Sequence, residues 1–225
     1  MIEVIATSVD DAITIEKCGV KRIELSTALS EFGITPRYGL IKKVLEKVKI
    51  SVFVLIRPHP ITFVYNNDDM QVMKDDIQIV KKLGADGVIL GVLNKDNKID
   101  EEKLKELLDC ADGLDVVFHR AIDSTPDPVE SVRTLLKYPQ IKRIVTAGGK
   151  GEVMDNLETI KKMVEAAENK VAIMLGGGLN QYNYRLAVEK TGAQEVHFGR
   201  GVRENFHHTG KIDPLRCQAI TLKRF

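Results

Sequence analysis

The stretch LGADGVILG at residues 83–91 carries the reading of the fold. Leu83 closes an amphipathic helical pattern, Gly84 ends it, and the apolar run Val88-Ile89-Leu90 begins a few residues later. Glycine is the expected helix terminator because it enters the left-handed region without a Cβ penalty. The same order recurs in CGVKRIEL (18–25) and TGAQEVHFG (191–199), with a proline-bearing variant in YPQIKRIVTAGG (138–149). Strand-like runs begin near Ile2, Arg22, Ser51, Gly87, Asp115, Arg143, Val171 and Glu195. Between them lie amphipathic helical segments such as DEEKLKELLDCA (100–111) and NLETIKKMVEAAE (156–168). Helix starts are marked by Ser8-Val9-Asp10-Asp11, which resembles a capping box, and by Asp127 before Pro128.

Strands alternating with helices point to parallel βαβ units, and eight such strands close a (β/α)8 barrel. An open doubly wound sheet would usually carry its glycine-rich turn after the first strand, where ATSVDD (6–11) stands instead. The glycine-rich turns come late, as AGGKG (147–151), GGGLN (176–180) and FGRG (198–201). The expected architecture is therefore α/β, a single TIM-barrel domain over residues 1–225, in which 201–225 form a C-terminal loop and a final helix.

Composition narrows the function. The net charge of +1 and the lack of a basic, aromatic-studded stripe exclude a general nucleic-acid or anionic-membrane binder. No apolar run has the length of a membrane span, and the acidic start MIEVIATSVDD is unlike a signal peptide, so a cytoplasmic location is expected. Cys18, Cys110 and Cys217 are widely spaced and form no C-x-x-C pair. Cys18 and Cys110 fall near helix ends and read as small buried residues, whereas Cys217 is left open.

The functional signal is charge inside apolar strands. Buried strands of an α/β protein normally read as near-continuous Val, Ile and Leu. Here IEVIA carries Glu3, RIEL carries Glu24, VFVLIRP ends at Arg57, VVFHRA encloses His119 and EVHFG encloses His197. Burying such groups costs several kcal/mol unless they neutralise one another. Alternation along each strand puts Glu3 with Ile5, Arg22 with Glu24, Leu55 with Arg57, Val117 with His119, and Glu195 with His197. If these are the inward faces, the five groups meet at the C-terminal mouth, where barrel active sites lie. In that arrangement Glu24, His119 and His197 are the candidate acid/base groups. Glu3 either joins them or neutralises Arg22 in the barrel floor. Glu3, Arg57, Arg120, Asp123 and Thr146 are the candidate substrate-binding groups, Arg57 as the anion holder and Arg120 paired with Asp123 to brace a loop.

The backbone N–H groups of Gly176, Gly177, Gly178 and Gly199 are candidates for holding a phosphate or another small anion, since barrels commonly bind phosphate after strands seven and eight. Residues 58–69, with Phe63 and Tyr65, form an expected lid. His207 and His208 read as surface-loop residues. No strand carries a lysine for Schiff-base chemistry, the first strand has no H-x-H, and no G-x-S-x-G, H-E-x-x-H or Walker motif occurs.

Several segments together resemble the CutC family, named for copper homeostasis: IEV, RIELSTALSEFGITP, VFVLIRP with FVY, VMKDDI, LGADGVILGVL, FHRAID, RIVTAGG, MLGGG and EVHFG. They run in order to about His197. The resemblance implies a cytoplasmic (β/α)8 barrel, linked to copper handling, often a homo-oligomer, with no established reaction. Copper is a cofactor by that resemblance only. Family members often carry a cysteine two residues after each of the first two strand glutamates, and this pair has been proposed as a copper(I) site. Those positions are Ile5 and Ser26 here, and neither supplies the soft ligand that copper(I) prefers. After IRP the family usually has Arg-Gly-Gly, where this chain has His59-Pro60-Ile61. Two readings follow: a copper-homeostasis protein, or an enzyme or binder acting on an anionic, phosphorylated small molecule.

Overall fold

A computed structural model describes residues 1–222. Eight parallel strands close into a barrel in the order β1-β2-β3-β4-β5-β6-β7-β8, with β8 paired back to β1. They are β1 Ile2–Ala6, β2 Arg22–Leu25, β3 Ser51–Leu55, β4 Gly87–Leu90, β5 Asp115–Phe118, β6 Ile141–Thr146, β7 Ala172–Gly176 and β8 Glu195–Phe198. The helices are α1 Val9–Lys17, α2 Tyr38–Lys47, α3 Asn67–Leu83, α4 Glu101–Cys110, α5 Pro128–Leu135, α6 Leu157–Ala166, α7 Tyr184–Thr191 and α8 Pro214–Thr221. The expected strand starts hold at six of the eight positions; β6 begins two residues earlier than Arg143 and β7 one residue later than Val171. Among the described residues no helix is long and apolar enough to cross a membrane.

Local chemistry explains the boundaries. Gly84 and Gly192 end α3 and α7 at φ of 81° and 73°, the left-handed conformation in which a Cβ is penalised. Ser8 caps α1 by accepting from Asp11 N at 3.0 Å, and Asp127 caps α5 ahead of Pro128. Residues 67–69, expected as the end of a lid, are instead the first turn of α3, because Asn66 and Asp69 form a reciprocal capping box. The final helix is present over α8; residues 223–225 lie outside the described part of the chain. Arg203 ties this tail to the barrel, donating to Asp11 at 2.8 Å and to the Ile5 carbonyl at 3.0 Å.

Two apolar cores follow from strand alternation. Outward residues such as Val4, Ile23, Val54, Val88, Phe118 and Leu175 pack beneath the helices. Inward residues Phe53, Leu55, Ile89, Val117, Val145 and Met174 fill the barrel. Each such side chain contributes roughly 1.5–3 kcal/mol by leaving water. Gly87 is inward as well, because a Cβ there would overlap the Phe53 ring, which spans the floor.

Candidate functional site

The charged residues on the inner wall separate into a floor and a mouth. In the floor, Arg22 Nε donates to Glu3 Oε2 at 2.6 Å, and Arg22 Nη2 donates to Glu195 and, at 3.2 Å, to Met174 Sδ. Arg143 approaches Glu195 at 3.3 Å and Asp115 at 3.6 Å. The Phe53 ring lies 5.7 Å and 5.2 Å from the Arg22 and Arg143 guanidinium carbons, within cation–π range. Burial pushes the Glu3 carboxyl up, but the His197 hydrogen bond and the charges of His197 and Arg22 overcome it and hold Glu3 below the usual range.

From Glu3 the network climbs to the mouth. Glu3 Oε1 meets His197 Nδ1 at 2.8 Å, and His197 Nε2 faces Glu24 Oε2 at 3.8 Å. The register places Glu3 beside both Arg22 and His197, which is why two adjacent strands serve one carboxylate. Burial opposes charge on His197, yet the Glu3 hydrogen bond and the charges of Glu24 and Glu3 raise its pKa. Glu24 is pushed up to about 7, first by burial and further by the Glu3 charge, against His197 and Ser26. The result is an imidazole between a committed carboxylate and one poised to titrate near neutral pH.

His119 lies at the same mouth but outside this relay. Its Nδ1 accepts from Ala121 N at 3.2 Å, which assigns the proton of the neutral ring to Nε2. Burial and then the Arg57 charge push its pKa down to about 3, so the ring is neutral. Its Nε2 is buried and has no hydrogen-bond partner. Phe63 packs over it at 5.0 Å between ring centroids.

Arg57 lines the mouth, with its Nε buried and without a hydrogen-bond partner. Its guanidinium donates to the carbonyls of Glu31 at 2.9 Å, Gly33 at 2.8 Å and Pro60 at 3.1 Å, and lies 4.9 Å from the Phe63 ring centre. It clamps the loops after β2 and β3 together; holding an anion would compete with three backbone carbonyls. Thr146, expected at the mouth, is fully buried behind the wall, donating to Asp123 Oδ1 at 2.6 Å and accepting from Gly148 N. Asp123 is occupied by Thr146, by Ala147 N and by Arg120 Nε at 2.7 Å, so Arg120 and Asp123 brace the loop as expected. Of the expected lid, Phe63 reaches the mouth whereas Tyr65 is buried in the outer core. Cys18 and Cys217 are free and buried; Cys110 is partly buried.

The mouth opens into a cavity of about 730 Å³. Glu24, His119 and His197 line it with Arg57, Arg120 and Asp123, and so do Gly176, Gly177, Gly178 and Gly199; Glu3 and Thr146 do not. Reasoning from sequence missed Glu152, which pairs with Arg200 across the rim. Loop residues have no periodicity to betray them, although Arg200 sits inside the FGRG turn. It also left Arg143 and Glu195 without a role, although strand alternation puts Glu195 on the His197 face.

Fold and mouth together define a (β/α)8 barrel with a buried carboxylate–imidazole relay at its C-terminal end. The CutC family model matches residues 1–202. A human protein described as a copper homeostasis protein cutC homolog is 39% identical over 197 residues, covering 88% of this chain and 72% of that protein. A CutC family protein of Pasteurella multocida is 37% identical over 203 residues, covering 90% and 83%. A crystal structure from Streptococcus agalactiae, provisionally described as a copper homeostasis protein CutC, superposes with a TM-score of 0.82 at 35% identity, covering 88% of this chain and 97% of that one. The chain belongs to the CutC family. Phosphoribosylanthranilate isomerase of Thermotoga maritima, at 14% identity and a TM-score of 0.65 over 98% of this chain and 95% of that one, shares the fold alone.

Proposed function

We propose that this protein takes part in copper homeostasis, the role named for its relatives, and that it works through proton chemistry on a small molecule in the barrel mouth rather than by holding copper(I). The observation that carries this reading is the Glu3–His197–Glu24 relay facing a cavity with no sulfur donor among its described lining residues. Copper(I) is held by thiolates and thioethers. The thioether on the inner wall, Met174, is fully buried in the floor and accepts from Arg22. The donor set of the mouth therefore does not fit copper(I). Glu24, half-ionised near pH 7, has the affinity for a proton that a general acid/base needs at neutral pH, and Glu3 fixes the orientation of His197 beside it. An anaerobic copper(I) titration against a chromogenic chelator tests the reading: the protein is expected to leave the chelator's copper in place. A stoichiometric complex lost in Glu24→Gln would overturn it.

A second reading is favoured by one specific feature. Donor atoms of Glu3, Glu24 and His197 all lie within 4.8 Å of one another. Imidazole and carboxylate suit copper(II): His197 Nε2 and Glu24 would be the ligands, and Glu3, bonded to Nδ1, is the kind of carboxylate partner that orients a ligating histidine. Here a copper(II) ion must compete with the proton that His197 binds more tightly than usual. An electron paramagnetic resonance spectrum of nitrogen-coordinated copper(II), lost in His197→Gln, supports this reading; a spectrum unchanged by His197→Gln removes it.

A further inference from the structure

Across the mouth from Glu24, three loops enclose the other half of the cavity: the one after β6 with Lys150 and Glu152, the glycine turn after β7, and the one after β8 with Gly199 and Arg200. The Glu152 carboxylate rests on this glycine turn. Gly178 stands at φ 72°, and a Cβ there would overlap the carboxylate. Arg200 Nη2 donates to the same group, and the Arg120 guanidinium lies against Gly177, where a Cβ would sit 3.2 Å from Nη1. A carboxylate from the chain itself thus occupies a place built from two left-handed glycines and flanked by arginines. Positive charge exceeds negative there: Arg120, Lys150 and Arg200 face Glu152 and Asp123, and Asp123 is already held by Thr146, Ala147 and Arg120.

The His119 ring lines the same cavity, but its Nε2 is enclosed and reaches no hydrogen-bond partner.

We propose that the mouth binds a small molecule carrying an anionic oxygen group, a phosphate ester or a carboxylate. That group sits against Gly177, Gly178 and Arg200 in the place that Glu152 now fills. Glu152 is an internal occupant that the ligand displaces, so it lowers affinity for every anion and sets a threshold of anion strength. The inference rests on the mouth being the working site, and it adds the class of molecule that enters.

Titrating inorganic phosphate and, separately, acetate into the intact protein tests it without copper. Glu152→Gln removes the competing charge and is expected to tighten binding about tenfold over wild type, the scale of one charge contact in a half-exposed site. A larger gain for phosphate assigns a phosphate ester, and an equal gain assigns a carboxylate. Glu152→Gln with Arg200→Gln is expected to lose the gain. Glu152 and Arg200 are about half exposed, so these variants keep the fold. Equal affinity in wild type and Glu152→Gln overturns the proposal, as does no detectable binding of either anion in Glu152→Gln, or a gain that survives loss of Arg200. Because the copper(I) titration reads Glu24 and this one reads Glu152, failure of either is seen separately.

Discussion

The floor and the mouth of this barrel bury the same kinds of side chain and treat them in opposite ways. In the floor, Arg22 reaches Glu3, Glu195 and Met174, while Arg143 reaches Glu195 and Asp115. In the mouth, Glu24 has its nearest cation at 3.8 Å and His119 Nε2 has no partner at all. Desolvation acts on both regions; the floor answers it with paired charges, whereas Glu24 and His119 Nε2 in the mouth lack such contacts. The consequence is visible in proton affinity: Glu3 stays ionised, whereas Glu24 rises to about 7 and His119 falls to about 3. Buried charge by itself is therefore no mark of a working site. Buried charge with an unused atom beside a cavity is.

The sharpest way to break this contrast is Arg22→Met. It leaves Glu3 and Glu195 without their shared guanidinium, and a cost of about 3–5 kcal/mol in urea unfolding is expected. A cost under about 1 kcal/mol would mean that the floor is not held by its ion pairs.

Glu24→Gln comes next, and its sign is opposite. Between the unfolded value of 4.5 and the folded value of about 7, the native protein keeps a proton that the unfolded chain releases. Stability from this group is full below 4.5 and is lost as pH rises towards 7, a loss of roughly 3 kcal/mol. Glu24→Gln cannot titrate, so it is expected to be more stable than wild type at pH about 8 by roughly that amount, with little difference near pH 5. Urea midpoints at the two pH values decide it, and equal differences at both would show that Glu24 does not carry the raised affinity.

His119 titrates the other way. Its folded value near 3 lies below the unfolded 6.5, so the stability it contributes is present above 6.5 and declines as pH falls. Near pH 5 the loss is about 2 kcal/mol, and His119→Gln is expected to flatten the acid limb by that much. An unchanged acid limb would place His119 in a wetter setting than its burial implies. The smallest effect sets the baseline: Arg133→Ala breaks the exposed pair with Glu130 and should shift stability by no more than about 0.5 kcal/mol.

Much of the barrel was legible because its signals are local. Gly84 and Gly192 end helices for a reason internal to one residue, and alternation by two put Glu3, Glu24, Leu55, Val117 and His197 on the inner wall without knowledge of any partner. Glu3 as the partner of Arg22, and Arg120 as the partner of Asp123, were readable for the same reason, through neighbouring strands and a spacing of three residues. The carbonyl partners of Arg57 were not readable, because a carbonyl has no letter in the sequence. Thr146 was misjudged although alternation from the inward Val145 puts it on the outer face of β6, where it reaches Asp123.

By itself, then, the sequence determined the (β/α)8 fold, the CutC family and which strands carry ionisable groups, since each depends on patterns along one chain. Tertiary structure alone decided which of those groups are saturated and which are left open. That distinction depends on distances between residues far apart in sequence: Glu3 and His197 are separated by 194 positions yet share one hydrogen bond, and Glu152 meets Arg200 across 48. Desolvation and pairing are sums over such neighbours, and closure of the barrel supplies them.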